Sequence, residues 1–300
     1  NLYNDYFDVK SGTDENNNEY FNVGDKSLIL RGAQISGGSR AIELGLITLK
    51  NTKKLGTFMI AIALICLIIL SINIFLQTGS LNNIYAIMII GAVGSLLAYF
   101  YTAEPLRLSA RKGLGELTIF LTFGPLLTLG SFFAMSNSEV VINFEAFKLF
   151  LFIGIPLGLL TTNILFINQY PDYKSDKKSD KINLVVLLGK KMSRWIYFLN
   201  LIMILISTYY FFDSFSKSIN NLNLKGFYII LSLLTAYGFY IFRGLFKFFD
   251  SRKLVNYNIQ TIYYQIVFCL AIILLLFIWF YVLKTGYVKH KSVLEIFTRF

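Results

Sequence analysis

Histidine is almost absent from this chain. His290 is the only one in 300 residues, so a Ser-His-Asp triad or a histidine-ligated zinc or haem has almost nothing to be built from. Cysteine is nearly as scarce: Cys66 and Cys269 both lie within apolar runs and read as small packing residues, not as a disulfide or a metal pair. Charge is short too, at 15% of residues, against roughly a quarter in soluble domains. No glycine-rich loop ending in Lys-Ser or Lys-Thr occurs, which removes a common phosphate cradle. The polar N-terminal stretch also lacks the basic-then-apolar pattern of a secretory signal.

What the chain has in quantity is apolar sequence. Hydrophobic residues make up 55%, and the mean hydropathy is +0.59. Crossing about 30 Å of hydrocarbon takes around 20 apolar residues, and seven runs approach or exceed that length: 55–76, 83–101, 116–135, 147–168, 194–213, 226–246 and 260–283. Spanning segments must satisfy their own backbone hydrogen bonds, and no strand-like alternation suggests a barrel. The expected fold is therefore all-α, a multi-span transmembrane helical bundle forming one membrane domain over 1–300.

The net charge of +11 reads as orientation within the lipid bilayer rather than as nucleic-acid binding, because Lys and Arg accumulate on the cytoplasmic side. Most of the 28 Lys and Arg fall in 1–54, 102–115, 169–193 and 247–259, which assigns those segments to the cytoplasm; the basic tail from Lys284 runs against that count. The expected location is the cell membrane. Aromatic residues gather at run ends, among them Tyr99, Phe100, Tyr101, Tyr209, Tyr210, Tyr263 and Tyr264. They suit an interfacial belt, and a few of them would also suit a cavity that shields a developing cation.

Two stretches hold a large share of the few acids: NLYNDYFDVKSGTD from Asn1 and NQYPDYKSDKKSD from Asn168. On a helix, Asn1, Asn4, Asp5 and Asp8 share a face, and Asn168, Asp172 and Asp176 stand four apart. Pro171 predicts that the span stops near Tyr170 and that a new turn begins at the proline. Carboxylates crowded on one face repel unless a cation sits between them, and hard oxygen ligands with open positions suit Mg²⁺ bridging to substrate phosphates. Two such faces on one side of a membrane would hold a metal-bound diphosphate. Cations to meet it are available at Arg40 behind two glycines, at Arg107, Arg111 and Lys112, and at Lys177, Lys178 and Lys181.

Together these stretches resemble the UbiA superfamily of membrane-embedded aromatic prenyltransferases. Asn4, Asp5 and Asp8 match its first motif, and Asn168, Asp172 and Asp176 its second. The run EPLRLSARKGLGELTIFLTFGPL, Glu104 to Leu126, is similar to the branch acting on 1,4-dihydroxy-2-naphthoate in menaquinone synthesis. The chain departs from the family where Gly12 stands in place of a third aspartate and where SDKINL replaces Gly-Lys-x-Thr-Leu. The resemblance implies nine helices, of which the first two precede the first motif; since this chain has no initial Met and opens inside that motif, those two helices are expected to be missing.

The activity it implies is transfer of a polyprenyl group from an isoprenyl diphosphate to an aromatic acceptor. Asp5, Asp8, Asp172 and Asp176 would hold Mg²⁺, Asn4 and Asn168 would orient ligands and substrate, and Arg40, Arg107 or Lys178 would neutralise the departing diphosphate. Tyr101 would neighbour the allylic cation. Other acceptors in the family are 4-hydroxybenzoate, porphyrins, chlorophyllides and glycerol-phosphate lipid precursors. A cation transporter would instead need acids near mid-span, whereas the motif acids fall at span ends, and a scaffold role leaves the paired motifs unexplained.

Overall fold

The computed structural model describes residues 2–10, 41–42, 45–79, 81–135, 144–218 and 225–284. Asn1, Arg40 and His290 lie outside the described residues. The described elements are helical: α1 Leu2–Lys10, α2 Leu49–Thr78, α3 Leu81–Phe100, a short 3₁₀ turn Leu108–Ala110, α4 Leu114–Phe123, α5 Pro125–Met135, α6 Phe144–Lys178, α7 Leu184–Ser218, α8 Lys225–Phe248 and α9 Leu254–Lys284. Among the described residues, seven stretches are long and apolar enough to cross a membrane, with α4 and α5 together making one of them, Leu114–Met135. This is the expected number of spans in the expected fold class.

Local chemistry sets several of the helix ends. Thr48 caps α2 by accepting the Asn51 amide at 3.2 Å, and Gly79, in the left-handed region with φ 65°, closes it with its amide on the Phe75 carbonyl. The α4–α5 span breaks at Gly124, after which Pro125 opens α5 at a position where its missing N–H costs nothing. The break is packed backbone to backbone on α6. A Cβ on Gly124 would lie 2.5 Å from the Gly154 carbonyl oxygen, and Gly158 lies against the Phe120 carbonyl just as tightly. Thr128 adds a hydroxyl bond to the Phe150 carbonyl across the same contact, at 3.1 Å.

The main core lies among α6, α7, α8 and α9, with Phe166, Ile167, Tyr170, Tyr197, Ile204, Phe212, Ile241, Leu254 and Phe268 fully buried. A smaller cluster of Ile74, Ile87, Phe132 and Phe133 joins α2, α3 and α5. The long α6 is the axis of the bundle and the most buried span.

One expectation is corrected here. The helix does not stop near Tyr170; α6 runs unbroken through Pro156 and Pro171 to Lys178. Packing outweighs the single lost backbone bond, since Phe166, Ile167 and Tyr170 are fully buried and the Tyr170 hydroxyl pairs with Ser193 Oγ at 2.8 Å. Asn168, Asp172 and Asp176 therefore keep one helical face. The next helix also begins earlier than its apolar run, at Leu184 rather than 194, and bends at Gly189, where φ is 76°.

Candidate active site

The first motif is presented by α1, a short helix with two jobs. Tyr3 and Phe7, one turn apart, dock it: the Tyr3 hydroxyl meets Thr57 Oγ1 at 2.9 Å, and both rings pack edge-on against Tyr99 at the end of α3. Gly56 leaves room for the Tyr3 ring, whose edge would lie 3.0 Å from a Cβ there. With that face committed to α2 and α3, Asn4 and Asp8 share the neighbouring one. Asn4 Oδ1 is buried and accepts no hydrogen bond among the described residues.

The second motif ends α6, and the turn after it is tightly built. Asp176 has a side chain only 4% exposed. Its Oδ2 accepts from Asn183 Nδ2 at 2.7 Å, and its Oδ1 lies 3.7 Å from Lys181 Nζ. Asn183 in turn caps α7 by accepting the Val186 amide at 2.9 Å. The turn is also tied to the segment between α3 and α4 by an isolated parallel bridge between Arg111 and Ile182. In that bridge the Lys112 amide donates to the Ile182 carbonyl at 2.7 Å and the Ile182 amide to the Ala110 carbonyl at 3.2 Å.

Glu116, 4% exposed at the start of α4, braces both pieces. Its Oε1 accepts from Gln169 Nε2 and from the Leu184 amide, each at 2.9 Å, while Oε2 is buried without a hydrogen-bond partner among the described residues. Asn168, one turn before Asp172, accepts from Asn258 Nδ2 of α9 at 2.8 Å.

These elements bring the two motifs together around one ammonium. Burial by itself would lower the pKa of Lys181, but Asp176, Asp8, Tyr101 and Asp172 lie close enough to raise it well above the usual lysine range. The Asp8 carboxyl is shifted upward by burial, which Lys181 and Arg107 offset in part and Asp5 reinforces. The Tyr101 hydroxyl is pushed up by burial as well, with Lys181 opposing and Glu116, Asp8 and Asp176 adding to the rise. The structure thus gathers Asp8, Asp172, Asp176, Tyr101 and Arg107, with Asp5 beside Asp8.

Lys178 is exposed at the end of α6, and Lys181, three residues on, is the lysine that faces the acids. Arg111 is spent locally, donating to the Leu106 and Pro105 carbonyls at 3.0 and 3.2 Å. Arg107 borders both the acid cluster and an outer groove of about 540 Å³ lined also by Glu104, Arg111, Lys112, Asp180 and Ile182. Glu116, Asn183 and Asn258 were not singled out by sequence spacing. An acid two residues into an apolar helix is itself a signal, because such a group persists only where it is hydrogen bonded or used.

Comparison with known proteins gives the arrangement a context. The description "UbiA prenyltransferase family" matches residues 1–254. A UbiA prenyltransferase domain-containing protein 1 from Dictyostelium discoideum is 34% identical over 132 residues, covering 44% of this chain and 38% of its own. A 1,4-dihydroxy-2-naphthoate octaprenyltransferase from Escherichia coli is 27% identical over 194 residues, covering 65% and 54%. A 2-carboxy-1,4-naphthoquinone phytyltransferase from Synechocystis is 27% identical over 150 residues, covering 47% and 46%. The chain spans about half the length, or less, of these relatives. No solved structure matches it.

Proposed function

Since the chain belongs to the UbiA prenyltransferase family and is an integral membrane protein, we propose that it transfers a polyprenyl group from an isoprenyl diphosphate to an aromatic acceptor, and that the acceptor is 1,4-dihydroxy-2-naphthoate. The observation that carries this reading is the meeting of two acidic motifs, on α1 and on α6, around Lys181 at one end of the bundle. The name of the Escherichia coli relative supports the naphthoate acceptor. Family members acting on 4-hydroxybenzoate or other acceptors define the alternative outcomes.

The donor set fits Mg²⁺. Its oxygens are hard, and Asn4 Oδ1 is a buried acceptor with nothing to accept among the described residues. Among the described residues no group of three acids is placed to hold a metal ion by itself, so the proposed Mg²⁺ would complete its shell with water and substrate phosphate. Asp5, Asp8, Asp172 and Asp176 would hold it, where it would neutralise diphosphate charge.

The chain's own groups do the rest. The Lys181 ammonium and the Arg107 guanidinium face the diphosphate and stabilise its charge as the allylic C–O bond breaks, the electron pair leaving with oxygen. Tyr101, half-buried, stands near Lys181, Asp8 and Asp176. The acceptor ring attacks the allylic carbon, and carbon dioxide and a proton leave the naphthoic acid. The lipid-facing walls give a long prenyl tail an apolar place to lie. By the same reading the acidic end faces the cytoplasm.

The test is prenyl transfer in membranes carrying the full-length protein, using labelled geranylgeranyl diphosphate, Mg²⁺ or EDTA, and a panel of aromatic acceptors. Mg²⁺-dependent labelling of 1,4-dihydroxy-2-naphthoate is expected, abolished by Asp5→Ala and by Asp172→Ala. Labelling of another acceptor would move the substrate, and no transfer from folded protein to any of them would overturn the function.

A further inference from the structure

Beneath the acid cluster, a polar seam runs into the apolar interior between α6 and α9. Its first rung is Asn258 Nδ2 donating to Asn168 Oδ1 at 2.8 Å. Its second is Gln265 Nε2 donating to Thr161 Oγ1 at 3.1 Å. Both pairs are seven residues apart along their helices, two turns or about 10 Å. Each rung leaves an acceptor unused: Asn258 Oδ1 and Gln265 Oε1 are buried and take no hydrogen bond among the described residues.

In a membrane interior an unsatisfied amide oxygen is expensive, since no bulk water reaches it. Asn258 is 2% exposed, yet Asn168, Thr161 and Gln265 are only half buried, so the seam borders reachable space. Depth tells what belongs there. Asn168 stands one turn, about 6 Å, on the membrane side of Asp172, where a ring must lie to meet an allylic carbon whose diphosphate is held by the acids.

We propose that Asn258 is a substrate-binding residue whose Oδ1 accepts a hydrogen bond from a ring hydroxyl of the acceptor, the bond to Asn168 fixing its depth below the diphosphate. This rests on the prenyl-transfer reading and adds to it the group that recognises the acceptor. A hydroxyl donating to an amide oxygen gains phenolate character, which raises electron density at the ring carbon that attacks. Asn258 thus selects hydroxylated rings and makes them better nucleophiles. It lies beyond the family match, which ends at residue 254.

The experiment measures, for wild type and Asn258→Ala, the KM values of geranylgeranyl diphosphate and 1,4-dihydroxy-2-naphthoate. It also measures the inhibition constants of the two naphthoates lacking one hydroxyl each. Loss of one hydrogen bond is worth about tenfold. Asn258→Ala should raise the KM of the dihydroxy acid about tenfold and leave that of the diphosphate unchanged. One of the two deoxy acids should bind wild type about tenfold more weakly than the parent and bind the variant no worse. Equal rises in both KM values, or a variant that weakens both deoxy acids as much as the parent, would overturn the proposal. Should the alanine variant not fold, Asn258→Ser repeats the comparison with the same two criteria. Wild-type protein that prenylates no aromatic acceptor overturns the function itself, whereas intact transfer indifferent to Asn258 overturns only this assignment.

Discussion

Lys181 and Lys178 differ by less than one helical turn in sequence and completely in surroundings. Lys178 is exposed, while Lys181 sits against Asp176 with Asp8, Asp172 and Tyr101 around it. Replacing Lys181 with Met takes the facing cation away from the buried Asp176, a change expected to cost about 3 kcal/mol and at least ~100-fold in transfer rate. Lys178→Met should stay within ~0.5 kcal/mol and ~2-fold. Thermal unfolding in detergent and the transfer assay check both, and equal effects of the two substitutions would sink the assignment. Spacing alone put the acids in rows correctly, because a helical face is a local property. It did not separate the lysines, since Lys181 turns inward only because the Arg111–Ile182 bridge and the Asn183 cap shape the turn that carries it.

At the scale of elements, hydropathy located every span, because the solvent itself demands apolar helices. It misplaced several boundaries, two of which show how tertiary contacts decide them. Pro171 reads as a stop, yet α6 continues, held by Tyr170 and its neighbours; the amphipathic start of α7 reads as loop, since Lys190, Lys191 and Arg194 interrupt its apolar run. Arg194 is in fact buried, its guanidinium over the rings of Phe246 and Phe249 and bonded to the Phe246 carbonyl at 2.7 Å. The close seat of the α4–α5 break on α6 was illegible too, because single glycines in apolar runs carry no direction. There Gly158→Ala should lower stability by about 2 kcal/mol through forced backbone separation. The loss would appear as a drop in melting temperature, and an unchanged value would show that the helices have room to part.

For the molecule as a whole, the candidate site is assembled from parts far apart in the chain: α1, the segment before α4, the end of α6 and, a turn deeper, α9. All of its charged parts lie at one end of the bundle. On the proposed cytoplasmic orientation, a cysteine placed at the exposed Lys178 should react with a membrane-impermeant maleimide in inverted vesicles and not in intact cells; labelling only from outside would reverse the orientation. The native Cys66 and Cys269 lie within spans and give the background. Lys181 also bears on how the protein is made. With an ammonium of its own among the acids, a newly inserted chain can close this end of the bundle before any divalent ion or lipid precursor arrives. On the proposed Mg²⁺ reading, assembly is thereby uncoupled from metal supply, and protein starved of the ion would stay in its membrane, folded and idle, until the ion returns.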